Sequence, residues 1–484
     1  MSHEDRISEL NEDRISELPS DILISIISRL TPKEATSTCI LSTHWRHLHS
    51  YATHLNFPKF GDRIDTKSKY LSMIDHVLDS HRGTKIKELV VDLDYLECEK
   101  FEKWFEFALT KKAEKICLRG WNNNKVPILR LPITDGMKCL KDLYLGNGIK
   151  LTDQDFELLV SNCLALECLI IEVSFSLKNV SIVGHSKLKH VKLLYARRVE
   201  SIVICDAISL VSLTLHNLSA GCAFKLSNSP KLTKLNYQEN HNVLMLAELL
   251  VRIPSSIRNQ LQRLRLSTTF HSYYVTPRDL VHQELLYVDL INIKHLELSI
   301  ETADFLYCDG PFQRYVHRLI EACGSLETLV IKFTKEDLGI NAHPMCEECR
   351  IMMLIDQPAP AECRNTNSQD LIIIEPAAAE CMGCQHLKRI EAMGIMYQHA
   401  ELPVKYLEIT GYFGNSWQRQ LAMFIVDNAT ALQKLSVLSC DQEALARARH
   451  DFRHTSFVHH DIRGLENKWC SDYLSWILDT GISS

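Results

Sequence analysis

The sequence has no long hydrophobic run and no large excess of charge of either sign. None of its apolar segments approaches the roughly 20 residues that a membrane-spanning helix requires, so we expect a soluble protein without a membrane partner. Its 54 Lys and Arg residues face 60 Asp and Glu residues, for a net charge of −6. Because binding to nucleic acid depends on a surplus of basic side chains, this balance argues against a nucleic-acid partner.

Glycine and proline are also scarce, with 17 and 14 residues in a chain of 484. With a hydrophobic content of 46%, this composition excludes a disordered chain and predicts a globular protein with a buried core. The charged start, MSHEDRISEL, differs from an apolar secretory signal and indicates a cytoplasmic and/or nuclear protein. The 17 cysteines are an odd number scattered through apolar segments, so we expect reduced thiols rather than a disulfide framework.

The sequence further lacks the short motifs that mark many active sites. It has no G-x-x-x-x-G-K-[ST] phosphate loop, no G-x-S-x-G elbow, no G-x-G-x-x-G after a strand and no H-E-x-x-H pair. Cys384 and His386 lie two residues apart, but nothing marks an oxyanion hole or an orienting carboxylate. We therefore expect a protein that performs no catalysis and needs no cofactor.

What the sequence does contain begins with three helical patterns near its N-terminus. Apolar residues three and four apart predict a first helix near residues 19–30. Thr31, followed by a proline and by Glu34, predicts the start of a second helix. Ser42 is a plausible cap for a short third helix. Three short helices bury little apolar surface, so we expect part of it to face a partner.

The same residues resemble a known family. The phrases LPSDILISIISRL, from Leu18, and LSTHWR, from Leu41, are similar to the plant form of the F-box, although Thr43 and His44 replace the usual basic residues. The resemblance implies a three-helix module that docks onto an adaptor of the Skp family. A helical end cap for the rest of the chain is the alternative interpretation. The implied adaptor-binding residues are Leu18, Pro19, Ile22, Leu23, Ile26, Leu30, Leu41 and Trp45.

A phrase of the form L-x-x-L-x-[LIV] then recurs along most of the chain, with its middle apolar residues 22 to 33 positions apart. Most of these separations are close to the roughly 20 to 29 residues of leucine-rich repeats. The alternation within each phrase predicts one short strand per repeat, stacked into a parallel sheet that lines a curved solenoid. We also expect a helix over residues 153–163 and extended chain over residues 173–186. The aligned middle residues are Leu89, Ile116, Leu143, Leu169, Val191, Leu213, Leu235, Leu264, Leu296 and Leu329.

The predicted fold class is therefore α/β, with an N-terminal three-helix F-box followed by a curved leucine-rich-repeat solenoid with a parallel sheet. A non-repetitive α/β protein is the alternative. The predicted divisions are the F-box, 13–56; a connector and helix, 57–84; the solenoid, 85–335; an irregular insertion containing Cys and Pro, 336–385; FBD-like terminal repeats, 386–440; and a C-terminal tail, 441–484.

The insertion carries two Cys-x-x-Cys pairs, with ligand types that suit zinc. Since 31 residues separate the pairs, which exceeds the usual spacing, a surface insertion with reduced thiols is the favoured interpretation and zinc the weaker one. The four cysteines are Cys346, Cys349, Cys381 and Cys384.

Beyond the insertion the repeat phrase resumes at Leu387, Leu407 and Leu432. Residues 404–437 are similar to the FBD, a C-terminal domain often appended to plant F-box proteins. The pattern is a strand, a Gly turn, a helix and a closing strand, and one more ordinary repeat is the alternative. We expect the His-rich tail that follows to be a solvated helix or loop rather than a metal site.

Together the resemblances imply the substrate-recognition subunit of a Skp–cullin–F-box E3 ubiquitin ligase. The F-box would bind the adaptor and, through it, cullin and RING subunits, while the solenoid would bind an unknown target protein. The alternative is a leucine-rich-repeat scaffold or ligand receptor that acts without ubiquitination. Outward residues of the repeats are free to vary without cost to the core, so we expect target contacts on the concave face. The selected candidates are Lys141, Lys189, Arg263 and Arg265.

Overall fold

The structure is a computed structural model of the chain. Its residues fall into two compact units, one made of residues 1–236 and 252–260 and the other of residues 237–251 and 261–484. The residues that the structure describes are 15–58, 64–93, 99–120, 134–146, 149–172, 176–219, 221–239, 249–270, 289–302, 310–335, 401–414, 416–439, 442–453 and 459–464.

The first unit begins with two of the three predicted helices. Helix α1 spans Ser20–Ile27 and α2 spans Pro32–Ser37. The predicted short third helix is the 3₁₀ helix Trp45–Tyr51, which starts after His44 rather than at a Ser42 cap, and another 3₁₀ helix, Thr38–Ile40, precedes it. A 3₁₀ helix has about three residues per turn, so the buried Trp45 and Leu48 lie on one side of it.

The rest of the first unit alternates strands with short helices. The helices are α3, Ile64–Asp79; α4, Glu99–Thr110; α5, Asp153–Asn162; and α6, Ser255–Arg258. The strands are β1, His54–Phe57; β2, Glu88–Leu93; β3, Lys115–Gly120; β4, Asp142–Leu145; β5, Cys168–Glu172; β6, Asn179–Val183; β7, His190–Leu194; β8, Ser201–Cys205; β9, Ser212–His216; β10, Ala223–Ser227; and β11, Lys234–Glu239.

Strands β1, β2, β3, β4, β5, β7, β9 and β11 follow one another in a parallel sheet. The register confirms the alignment predicted from the repeat phrase, since the middle apolar residues are direct partners on neighbouring strands, from Leu89 and Ile116 to Val191 and Leu213. Each of them is buried. Strand β1 is an addition that the phrase did not reveal: its Leu55 pairs with Leu89.

Where the repeats are 22 residues long, a second strand replaces the helix. Strands β6, β8 and β10 form this separate three-stranded parallel sheet, in line with the extended chain expected for residues 173–186. At its edge the Asp153 carboxylate accepts the backbone N–H groups of Lys178 and Asn179, at 2.7 and 3.0 Å. Helix α5 thereby satisfies backbone donors that an open sheet edge would leave exposed.

The described residues of the second unit include six parallel strands, with helices between some of them. The helices are α7, Gly310–Glu321; α8, Ser416–Asn428; and α9, Gln442–Asp451. The strands, in their order in the sheet, are β12, Arg263–Phe270; β13, His295–Thr302; β14, Thr328–Lys335; β15, Tyr406–Tyr412; β16, Lys434–Ser439; and β17, His459–Gly464.

Strand β14 pairs directly with β15, Leu329 beside Leu407. The insertion and the phrase at Leu387, which separate these strands in sequence, lie outside the described residues. The expected strand, Gly turn, helix and closing strand follow over residues 406–439. The tail was expected to be a solvated helix or loop. The structure has helix α9 and strand β17 in this region, and they continue the alternation of helices and strands. Ile462 of β17 pairs with Val437 of β16. The sequence HHDIRG of β17 offers one apolar residue, too little for the repeat pattern to reveal a strand.

Candidate functional site

Helix α1 has a buried side and an exposed apolar side. Leu23 and Ile27 are fully buried, whereas Ile22 and Ile26 are 49% and 39% exposed. Residues four apart lie on one side of a helix, so Ile22 and Ile26 form an exposed pair. The helix starts after Pro19, whose rigid backbone suits a helix entry, and Asp21 places a negative charge in the first turn.

A second exposed apolar pair follows helix α2. The helix begins with the predicted capping box: Glu34 N–H donates to Thr31 Oγ1 at 3.4 Å, and Thr31 N–H donates to Glu34 Oε2 at 2.9 Å. The hydrogen bonds from the Thr31 backbone and hydroxyl lower the pKa of Glu34. The chain then tightens into the first 3₁₀ helix and leaves Ile40 and Leu41 exposed by 87% and 58%.

Trp45 ties the segment before α1 to the second 3₁₀ helix. Its indole Nε1–H donates to Ser16 Oγ at 2.9 Å, and Ser16 Oγ lies 3.3 Å from Ser42 Oγ. The ring itself is 3% exposed. Trp45 therefore holds the N-terminal segment in place and has little surface left for a partner.

These positions divide the eight residues expected to bind an adaptor. Leu23 and Trp45 belong to the core of the module and present little surface to a partner. Leu18 and Leu30 are half-buried, and Pro19 is exposed. The exposed apolar set consists of Ile22, Ile26, Ile40 and Leu41.

Ile40 and the exposed Ile15 are absent from the expected list. Ile40 stands between Cys39 and Leu41 in an apolar run, so only its exposure in the fold distinguishes it from a core residue.

The two lysines expected to contact a target lie beside the sheet rather than on its face. Lys141 directly precedes β4 and Lys189 directly precedes β7. Both are exposed and form ion pairs with the preceding repeat, Lys141 with Glu114 at 2.8 Å and Lys189 with Glu167 at 2.6 Å. These ion pairs are exposed and lie beside the N-terminal ends of the strands. Exposed ion pairs contribute little to stability.

The two arginines expected to contact a target differ in their surroundings. Arg263 begins β12 and is exposed. Arg265 is mostly buried, and its Nε lies 2.7 Å from Glu297 Oε2, while Lys332 Nζ lies 3.1 Å from the other carboxylate oxygen. Burial raises the pKa of Glu297, but hydrogen bonding and the charges of Arg265 and Lys332 outweigh it and lower the pKa overall. Most of the Arg265 side chain is therefore buried in its ion pair with Glu297.

A polar ladder crosses the first unit's sheet and was not recognised from the sequence. Asp92 accepts a charged hydrogen bond from Arg119 at 2.5 Å. The Arg119 guanidinium lies 5.3 Å from the centre of the Tyr144 ring, and the Tyr144 hydroxyl donates to Glu172 at 2.5 Å. Burial, the Glu172 charge and this hydrogen bond raise the pKa of Tyr144. Four neighbouring strands, β2 to β5, are thereby joined by side chains as well as by backbone.

The four cysteines of the insertion, weak candidates for zinc ligands, lie outside the described residues: Cys346, Cys349, Cys381 and Cys384. Within the described part of the chain, no group of three or more His, Cys, Asp or Glu side chains is placed to hold a metal ion. The eight cysteines that are described there are all free thiols.

No helix among the described residues combines the length and the apolar character needed to cross a bilayer.

Comparison with known proteins yields two family matches. Residues 15–48 match the F-box domain, and residues 74–272 match the repeats described as "FBD-associated F-box protein At5g56370, LRR repeats". The first range contains the exposed apolar set, and the second contains α4, α5, α6 and strands β2 to β12.

Similar curated proteins come from Arabidopsis thaliana. F-box/FBD/LRR-repeat protein At1g51370 is 26% identical over 35% of this chain and 41% of its own length. F-box/FBD/LRR-repeat protein At2g05300 is 30% identical over 38% of this chain and 45% of its own length. The chain thus spans less than half the length of these two relatives.

The helical module and the in-register parallel sheet define an F-box protein with leucine-rich repeats. Within that class, the chain is a plant F-box/LRR protein, and its repeats are similar to those of an FBD-associated F-box protein.

Proposed function

We propose that this chain is the substrate-recognition subunit of a Skp–cullin–F-box E3 ubiquitin ligase. Its F-box binds a Skp-family adaptor and, through the adaptor, the cullin and RING subunits. Its repeat sheets bind a target protein. The observation that carries the proposal is the exposed apolar set, Ile22, Ile26, Ile40 and Leu41, on a module that matches the F-box domain.

The aliphatic side chains of the exposed apolar set, on a module of about forty residues, favour a partner over free solvent. Soluble proteins seldom expose several large aliphatic residues close together in sequence unless a partner covers them. Docking of an apolar helical face onto a complementary groove is a common mode of recognition. The buried Leu23, Ile27 and Trp45 hold the module in shape while the exposed set remains available.

The mechanism is proximity rather than chemistry by this chain. A target held on a repeat sheet lies near the ubiquitin-charged conjugating enzyme recruited by the RING subunit, so that transfer to a target lysine becomes effectively intramolecular. The chain supplies binding and orientation and no catalytic group. A cytoplasmic and/or nuclear location accords with this role.

Target contacts are proposed for the exposed Arg263, Lys141 and Lys189, with Arg265 contributing only the part of its side chain outside the Glu297 pair. The alternative function is a repeat scaffold or ligand receptor that works without ubiquitin. It predicts binding by the sheets with no dependence on the exposed apolar set.

Association of the purified full chain with a purified Skp-family adaptor tests the proposal. The diagnostic variant is Ile22→Asp with Ile26→Asp, which places two charges in the exposed set without disturbing the buried Leu23. The matched control is Leu158→Asp with Leu164→Asp, since these leucines are also exposed but belong to α5 and the turn after it.

We expect the unchanged chain and the control variant to bind at micromolar concentration or tighter and the diagnostic variant to lose binding. The proposal would be contradicted if the adaptor did not bind the unchanged chain. Equal losses in both variants would show that the exposed set is not the docking surface.

A further inference from the structure

The chain passes from the F-box directly into the repeat sheet. The second 3₁₀ helix ends at Tyr51, and β1 begins three residues later at His54. The Thr53 carbonyl accepts the backbone N–H groups of Lys87 and Glu88, at 2.7 and 3.2 Å. The end of the F-box therefore supplies the first strand of the sheet, in register with the first repeat.

The end of α1 is tied to the same strand. Ser28, which follows α1 and is buried, accepts the backbone N–H of Thr53 at 2.8 Å through its hydroxyl oxygen. Leu30 and Ala35 of the F-box line one small cavity together with Leu55 of β1 and Val77 of α3. These contacts place apolar F-box residues against the first repeat, with no free linker between them.

His81 joins the F-box to the two helices that follow. Its Nε2–H donates to the Ala52 carbonyl at 3.0 Å, and the adjacent Arg82 N–H donates to the Ser50 carbonyl at 2.8 Å. From the other side, the His81 ring meets the Phe107 ring edge-on with centres 5.8 Å apart. We refer to these contacts of His81 as the clamp. Because His81 is buried, the clamp lies away from solvent.

The end of α4 closes the clamp. Lys111 Nζ donates to the Gly83 carbonyl at 2.7 Å and to the His81 carbonyl at 3.3 Å, and the Lys111 carbonyl accepts the Ile86 N–H at 3.0 Å. The loop that connects α3 to β2 is thus held at both ends. Backbone hydrogen bonds, the His81 ring and the Lys111 side chain thus connect the end of the F-box to the first repeat.

We propose that the F-box and the first repeats form one cooperative body, clamped by His81, that opens as a single unit and holds the exposed apolar set at a fixed position relative to β1 and β2. The consequence for ubiquitin transfer rests on the proposed function. A fixed position would restrict transfer to target lysines that lie within one limited zone.

Hydrogen exchange followed by mass spectrometry on the full chain tests the coupling. Leu89→Ala removes a buried side chain of β2, a change that costs about 2 kcal/mol or more in protein cores. If α1 and β2 belong to one cooperative body, amide exchange in both elements should accelerate by the same factor, about 30-fold or more. Faster exchange in β2 with unchanged exchange in α1 would overturn the proposal.

A second measurement covers the case in which Leu89→Ala does not fold. In the unchanged protein, rising urea should accelerate exchange in α1 and β2 with the same slope, because the slope reports the surface exposed in the opening. Two different slopes would indicate independent opening. His81→Ala should raise both exchange rates, whereas His76→Ala, at an exposed histidine within α3, should change neither.

Adaptor binding separates this proposal from the proposed function. At 100 times its dissociation constant, a purified Skp-family adaptor should slow exchange about 100-fold in α1 and equally in β2. Slower exchange in α1 alone would overturn the cooperative body and retain adaptor binding. No slowing in either element, with their slopes in urea still equal, would refute adaptor binding and retain the cooperative body.

Discussion

Truncation of Ile40 should weaken adaptor binding without weakening the fold. Its side chain is 87% exposed and lies at the end of a 3₁₀ helix with no buried residue. Ile→Ala removes most of the branched side chain, and burial of a methylene is worth about 0.8 kcal/mol. If the adaptor covers this residue, Ile40→Ala should cost about 2 kcal/mol of binding free energy, a roughly 30-fold rise in the dissociation constant.

Titration calorimetry with the purified adaptor measures that change, and urea unfolding checks the fold. The free energy of unfolding of Ile40→Ala should stay within about 0.5 kcal/mol of the unchanged protein, as for other exposed positions. Leu23→Ala gives the opposite pattern. Its side chain is fully buried, so the fold should lose about 2 to 5 kcal/mol while molecules that remain folded bind normally.

A control at Leu164, which is 62% exposed beyond the F-box, separates specific docking from general stickiness. Leu164→Ala should leave the dissociation constant unchanged. The reasoning fails if Ile40→Ala binds as tightly as the unchanged protein, or if Leu164→Ala weakens binding to the same degree.

Two further predictions concern the second unit. Burial lowers the pKa of His317 to about 4. Its protonation therefore opposes folding, so the free energy of unfolding should fall by about 3 kcal/mol as the pH drops from 6.5 towards 4. In urea unfolding at several pH values, His317→Phe should reduce this dependence of stability on pH. A dependence as steep as that of the unchanged protein would contradict the assignment. Gly411 has φ +70°, and a Cβ there would lie 1.9 Å from the Phe333 carbonyl oxygen. Gly411→Ala should sharply lower the thermal midpoint, whereas Gly324→Ala, with open space around its Cβ, should not; equal midpoints would refute the packing argument.

Features that depend on neighbouring residues were readable from the sequence. The capping box at Thr31 with Glu34 forms as its spacing predicts, because the side chains that satisfy a helix start lie within one turn of it. A second capping box, Thr152 with Asp155, was not recognised from the sequence. The short third helix was predicted, but its 3₁₀ geometry was not. A stretch of seven residues carries too few turns for the sequence to separate a 3₁₀ helix from an α-helix.

The strand register also followed from the sequence. Every repeat must bury its middle apolar residue, and a shift by one position would turn that residue towards solvent. Leu264, Leu296 and Leu329 accordingly pair across neighbouring strands, although their separations in sequence exceed those of the shorter repeats. Strand β1 was not recognised because it carries only half of the repeat phrase and lies where the F-box pattern ends.

The sequence by itself determined that this chain has an F-box and a stacked parallel sheet, because both depend on apolar residues at fixed spacings. Only the tertiary structure decided that Leu23 is buried while Ile22 is exposed, since the two are adjacent in one apolar stripe and differ only in what packs against them. It alone also joined Asp92, Arg119, Tyr144 and Glu172, which are far apart along the chain and become neighbours only through the register of four strands.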